Sequence, residues 1–165
     1  MVECKFTDDT KRLMVKSIEN NEKLLRMFGF NLCLNRDNNI NHGANIFEGR
    51  EGHVDISESI CEPTTKEIGT FYSHPSSDPT PAVASIITTA RKGHELLCVG
   101  TSSKFDRSGP IDRKVTCFEL KNKGNIDIKQ MRKITNSIVS ENISPTEQRK
   151  KAAKLYIKEK CVIEL

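Results

Sequence analysis

The stretch GTFYSHPSSDPTPAVAS, residues 69 to 85, decides how the rest of the chain is read. The apolar run Ile68 to Tyr72 predicts a buried strand. Pro75, Pro79 and Pro81 then end it, because each proline lacks an N–H donor and fixes φ. Thr80 followed by Pro81 predicts a helix start, with Thr80 as N-cap and the helix running to about Arg91 before Gly93. His74 therefore stands where a strand opens onto the surface, a usual place for ligands and catalytic groups.

The flanking segments extend this pattern. Met14, Ile18, Leu25 and Phe28 make one stripe, so a helix is expected from about Asp9 to Phe28, capped by Asp8 or Asp9 and stopped at Gly29. Phe30 to Leu34 alternates like a strand, and the Asn-rich run through His42 reads as a loop. Residues 45 to 57 allow two short strands about a turn. ELLCVG, residues 95 to 100, is apolar throughout and predicts a central strand covered on both faces. Lys114 to Leu120 gives another strand.

Beyond Lys121 the spacing turns helical, with Met131, Ile134 and Ile138 on one stripe. Ser144, Pro145 and Glu147 then start a last helix, on which Ala152 and Tyr156 share one side. The chain thus reads as an α/β domain, a mixed sheet flanked by helices, over residues 1–120. A basic C-terminal helical extension follows over residues 121–165.

Charge and cysteine usage set further expectations. Residues 121 to 160 carry eleven Lys or Arg against four Asp or Glu, whereas residues 1 to 120 are slightly acidic. This suits an acidic partner, nucleic acid held through residues 121–160, or simply a solvated helix face. No apolar run is long enough to span a bilayer and the first residues do not resemble a secretion signal. A cytoplasmic protein with no membrane partner is expected. In that setting Cys33, Cys98 and Cys117 read as buried, reduced thiols, and disulfides are not expected.

The 69–85 stretch resembles the signature of the JAMM/MPN metalloprotease family, and the likeness extends loosely over residues 9 to 120. In that pattern a strand ends in His-x-His-Pro, and a Ser-x-x-Asp follows at a helix start. The resemblance implies a mixed sheet in the JAMM/MPN, cytidine-deaminase-like arrangement. It also implies zinc held by two His and one Asp, an oxyanion-supporting Ser, a general-base Glu, and peptidase action on ubiquitin-like conjugates. Position by position, His74 matches one ligand, Tyr72 replaces the other histidine, Ala82 replaces the serine and Ser85 replaces the aspartate. No carboxylate stands where the base belongs; the nearest is Glu22 in the preceding helix.

A neutral phenol and a hydroxyl are poor zinc ligands, so the resemblance implies a degenerate site. The expectation is a catalytically inactive binding or scaffolding module with a protein partner and no cofactor. The alternative is a zinc isopeptidase refilled by substitute ligands, with His53, His74 and Asp78 as the set. Asp55, Glu58 and Glu62 are further carboxylates near it in sequence. Read without metal, Asp78 is a turn residue before Pro79, His53 lies in a hairpin, His94 is structural and His42 is solvated.

Overall fold

The computed structural model describes residues 2–56, 60–106, 109–124 and 127–165. The order is α1 (Asp8–Leu24), β1 (Phe28–Leu34), β2 (Ile40–His42), β3 (Phe47–Glu48), β4 (Lys66–Ser73), α2 (Val83–Lys92), β5 (Leu96–Ser102), β6 (Arg113–Leu120), α3 (Ile128–Val139), α4 (Pro145–Tyr156) and β7 (Ile157–Glu164). Among the described residues the strands form one mixed sheet, ordered β2-β1-β4-β5-β6-β7, with β3 paired to β1. Only β4 and β5 run parallel; the other neighbours are antiparallel. The α/β class and the mixed sheet are as the sequence implies.

Helices cover both faces. Met14 and Ile18 of α1 pack with Phe30, Leu32, Phe71, Leu96 and Val115 on one side. Ile86 of α2, Met131 of α3 and Ala153 of α4 join Tyr72, Leu97 and Val99 on the other. β5 feeds both clusters in alternation, which is why its sequence is apolar throughout. Phe30 and Phe71 sit with ring centroids 4.8 Å apart. Gly69 admits the close β4–β5 approach: a Cβ there would lie 2.2 Å from the Leu96 carbonyl oxygen.

Several local expectations are corrected. α1 is capped by the Thr7 hydroxyl, which accepts from Thr10 N, rather than by Asp8 or Asp9. It ends at Leu24, with Leu25 left-handed at φ 53°. Gly29 instead lies inside β1, paired with Tyr72. α2 starts two residues later than Thr80 and Pro81 suggest, with Ala82 as its N-cap and no side-chain cap. The reason is local: the Thr80 hydroxyl donates 2.7 Å to Asp78 Oδ1, and Thr80 N donates 3.0 Å to the same oxygen. That Asx turn uses the hydroxyl that would have capped the helix.

The larger correction concerns the C-terminal third. α3 and α4 fall where the spacing puts them, with Asp127 and Ser144 as caps. The last residues do not continue the helix, however. They return as β7, antiparallel to β6, and complete the sheet. KEKCVIEL has no clean period-2 alternation, and its charges suit the edge strand it forms.

The cysteines are also corrected. Cys4–Cys161, Cys33–Cys61 and Cys98–Cys117 are disulfides, rather than reduced thiols. Cys98 and Cys117 are register partners across β5 and β6, with Cα atoms 4.1 Å apart, and antiparallel neighbours at that spacing bring sulfurs together. Three disulfides are what an oxidising setting sustains, so the cysteines no longer support the intracellular reading. No helix among the described residues is long and apolar enough to cross a membrane.

Candidate functional site

His74 follows the C-terminal end of β4, where its backbone N–H donates 2.8 Å to the Gly100 carbonyl and prolongs the β4–β5 pairing by one bond. Ser73, fully buried, anchors this corner: its Oγ accepts from Phe28 N at 2.9 Å and from Asn21 Nδ2 at 3.2 Å. The chain then turns through Pro75 and Pro79 into α2. The His74 ring is thereby half-buried, and its Nδ1 lies 2.9 Å from the Asp78 carbonyl oxygen. A carbonyl only accepts, so Nδ1 carries the proton and Nε2 is the basic nitrogen. Burial lowers the imidazole pKa, and the Arg149 charge adds to this against the opposing pull of Asp78.

Tyr72 lies two residues earlier on β4 and points to the α2 side, 5% exposed. Its ring meets His74 edge-on with centroids 6.3 Å apart. The phenol lies against the Ser85 side chain and the Ala82 backbone, but no hydrogen bond satisfies the buried hydroxyl. Burial pushes its pKa up to about 12, so the group is a neutral phenol. Tyr72, Ala82 and Ser85, far apart in type from His, Ser and Asp, thus share one corner with His74.

Asp78 is held as a turn residue. Burial pushes its carboxyl pKa up, but the Thr80 hydroxyl and N–H, with Lys150 and Arg149, outweigh that and leave it below its usual value. Arg149, on α4, reaches in from the C-terminal third and places Nη2 3.5 Å from Asp78 Oδ2. By sequence this arginine is one of the basic residues between 121 and 160, for which a solvated helix face is one reading. The signal was there to find: Arg149 falls at helical spacing on the same stripe as Ala152, Ala153 and Tyr156.

The substitute metal set is not assembled. His53 is exposed in the tight turn where Arg50 N donates to the His53 carbonyl. Among the described residues, His53, His74 and Asp78 do not form a group of converging ligand atoms; the group that does is Cys4, Cys117 and Cys161. Asp55 and Glu62 are exposed, and Glu58 lies outside the described residues. Glu22 is no free base: its carboxylate holds Arg113 at 2.8 Å through both oxygens, and its side chain is 4% exposed. His94, read from sequence as structural, is buried, with Nε2 3.3 Å from Glu67 Oε1. His42 is not simply solvated; it sits in β2 with its ring 6.0 Å from Phe30 and Nδ1 bonded to the Gly43 carbonyl.

The corner does not fit a zinc ion. It offers one imidazole nitrogen, a neutral phenol, a hydroxyl and a carboxylate already bound to Thr80 and Arg149, where zinc needs three ligands drawn from thiolate, neutral imidazole and free carboxylate. A guanidinium beside these groups further disfavours a divalent cation.

No family model matches the chain, and no curated protein matches it. Its fold is similar to solved structures at low identity. One is the crystal structure of a JAB1/MPN domain protein from Archaeoglobus fulgidus, 14% identical, with a TM-score of 0.44 over 70% of this chain and 88% of the other. Another is the solution structure of a protein from Salinibacter ruber, 14% identical, with a TM-score of 0.40 over 73% of this chain and 84% of the other. Likenesses of this degree assign neither family nor function. What the fold defines is a mixed α/β domain with a histidine corner at the end of its central parallel pair.

Proposed function

We propose that this protein is a catalytically silent α/β binding module of MPN-like design, docking an acidic protein partner. The observation that carries the reading is Arg149: a helix of the C-terminal third inserts a cation beside Asp78, His74 and Tyr72, where a zinc peptidase of that design would keep a metal and a water. Among the described residues the corner has no second imidazole and no free carboxylate, so it lacks the ligand set and the carboxylate base of that metal chemistry.

Charge supports the choice of partner. A groove of about 570 Å³ lies between α4 and the β6–β7 edge. Phe118 and Ile157 line it, and Lys150, Lys151, Lys154 and Lys158 surround it, against the carboxylates of Glu147 and Glu159. An apolar floor under a net positive rim suits an acidic protein segment with one or two apolar anchors. Nucleic acid is the less favoured occupant, since aromatic side chains for base stacking are sparse at 5% of the chain.

Two measurements test this. Metal analysis of the oxidised chain, purified without reductant and dialysed against zinc, should find no stoichiometric zinc. About one zinc per chain, lost in His74→Ala, would favour the peptidase acting on ubiquitin-like tails and overturn the silent reading. Titration with a fluorescent polyglutamate peptide bearing a terminal Phe should show binding that weakens about tenfold in Lys150→Glu/Lys154→Glu. Tighter, steeply salt-dependent binding to duplex DNA would move the assignment to nucleic acid.

A further inference from the structure

Three strands each place a cysteine at the same level. Cys98 on β5 pairs with Cys117 on β6, and Cys117 pairs in turn with Cys161 on β7. Register partners share a sheet face, and all three lie toward the α1 side, where Cys4 from the N-terminal segment joins them. In the oxidised chain the sulfurs are committed as Cys98–Cys117 and Cys4–Cys161. The two bridges are adjacent: the Sγ atoms of Cys4, Cys117 and Cys161 all lie within 4.8 Å of one another.

We infer that opening these two disulfides creates a thiolate site for a soft metal ion, zinc or copper(I), formed by Cys4, Cys117 and Cys161. A zinc–sulfur bond of about 2.3 Å sets the sulfurs of a three-thiolate site about 4 Å apart; Cys117 already lies within 4.8 Å of both partners, and the Cys4 and Cys161 sulfurs, bonded to each other in the oxidised chain, move apart to that spacing on reduction. Thiolates select such ions over magnesium or calcium. Cys98, one register step from Cys117 on the same face, is the nearest source of a fourth sulfur. Each disulfide takes two electrons and two protons from a dithiol reductant, which becomes a disulfide. Zinc binding then displaces three thiol protons to solvent. Either state ties the N-terminal segment to β7, by a covalent bond when oxidised and by the ion when reduced. The third bridge, Cys33–Cys61, starts from β1 and supplies an internal control.

The test uses the 165-residue chain, reduced with a dithiol and desalted under nitrogen, with cobalt(II) as probe. One cobalt per chain should bind with a thiolate-to-metal charge-transfer band, and zinc should bleach it. Cys117→Ser and Cys161→Ser should lose the band, and Cys33→Ser should keep it. In reduced wild-type protein, zinc should slow alkylation of Cys4, Cys117 and Cys161, read by peptide mass, and leave Cys33 and Cys61 unchanged; this decides the matter if a variant fails to fold. The inference is overturned by absence of the band in the reduced chain, by a band that survives Cys117→Ser, by protection confined to Cys33 and Cys61, or by reduced protein that circular dichroism shows unfolded with and without zinc.

Discussion

Arg149 and Asp78 meet across the histidine corner, Nη2 to Oδ2 at 3.5 Å, and this contact makes the C-terminal third part of the site. Both side chains are largely withdrawn from water, at 31% and 17% exposure, so the pair is more than a screened surface contact. Arg149→Ala should cost about 2 kcal/mol, between the values for exposed and buried pairs. It should also raise the Asp78 pKa toward the ordinary carboxylate value. Urea unfolding and NMR titration of the Asp78 carboxyl measure the two effects; an unchanged Asp78 titration would remove Arg149 from the corner.

If Tyr72, Ala82 and Ser85 occupy the positions the resemblance gives them, a metal site can be rebuilt. The triple variant Tyr72→His/Ser85→Asp/Arg149→Ala should bind about one zinc per chain by calorimetry, because three ligands then face an open position. Tyr72→His alone should not. A folded triple variant that binds no zinc would show that these side chains do not converge as inferred.

Tyr72→Phe is expected to be neutral or stabilising by up to about 1 kcal/mol, since it removes a buried hydroxyl with no partner. The pH dependence sharpens this. The phenol pKa is raised from about 10 to about 12, so between those values the unfolded chain binds fewer protons than the folded one. Stability should therefore fall as pH rises through that window, by about 1.4 kcal/mol per pH unit at most. The same slope should be missing from Tyr72→Phe, as thermal melts in alkaline buffers can show.

Glu22 and Arg113 give the acid side. Burial raises the Glu22 carboxyl pKa, but Arg113, Ser102 and Lys104 lower it further, to a net value below that of a free glutamate. The unfolded chain then binds more protons, so this stabilisation is present above about pH 4.5 and is lost as pH falls through the folded value. Glu22→Gln should cost about 2 kcal/mol at neutral pH, the scale of two charge-assisted hydrogen bonds. It should also flatten the acid limb of the stability curve.

The disulfides should rank by the loop they close. Cys4–Cys161 spans 157 residues and Cys33–Cys61 spans 28. On loop entropy alone, Cys4→Ser/Cys161→Ser should cost about 1.5 kcal/mol more than Cys33→Ser/Cys61→Ser. Denaturant midpoints of the two double variants make the comparison, and the reverse order would point to residual denatured-state structure or strain.

The sequence by itself determined the elements whose signals are local. ELLCVG specifies a strand buried on two faces, Gly93 a helix stop, and Ser144 a helix start, because side-chain period and cap chemistry act over a few residues. It also placed His74 at the end of a strand, where the structure has it. Where two local signals compete, the shorter-range one wins: Asp78 takes the Thr80 hydroxyl, so α2 starts at Val83. Only the tertiary structure decided the rest. KEKCVIEL is a strand because β6 offers an open edge, not because of any pattern of its own. Cys98, Cys117 and Cys161 meet because strand register aligns residues far apart in the chain. Arg149 reads as one more solvated cation until α4 packs on the sheet and turns it toward Asp78, since helix spacing gives a residue's face but not what that face will meet.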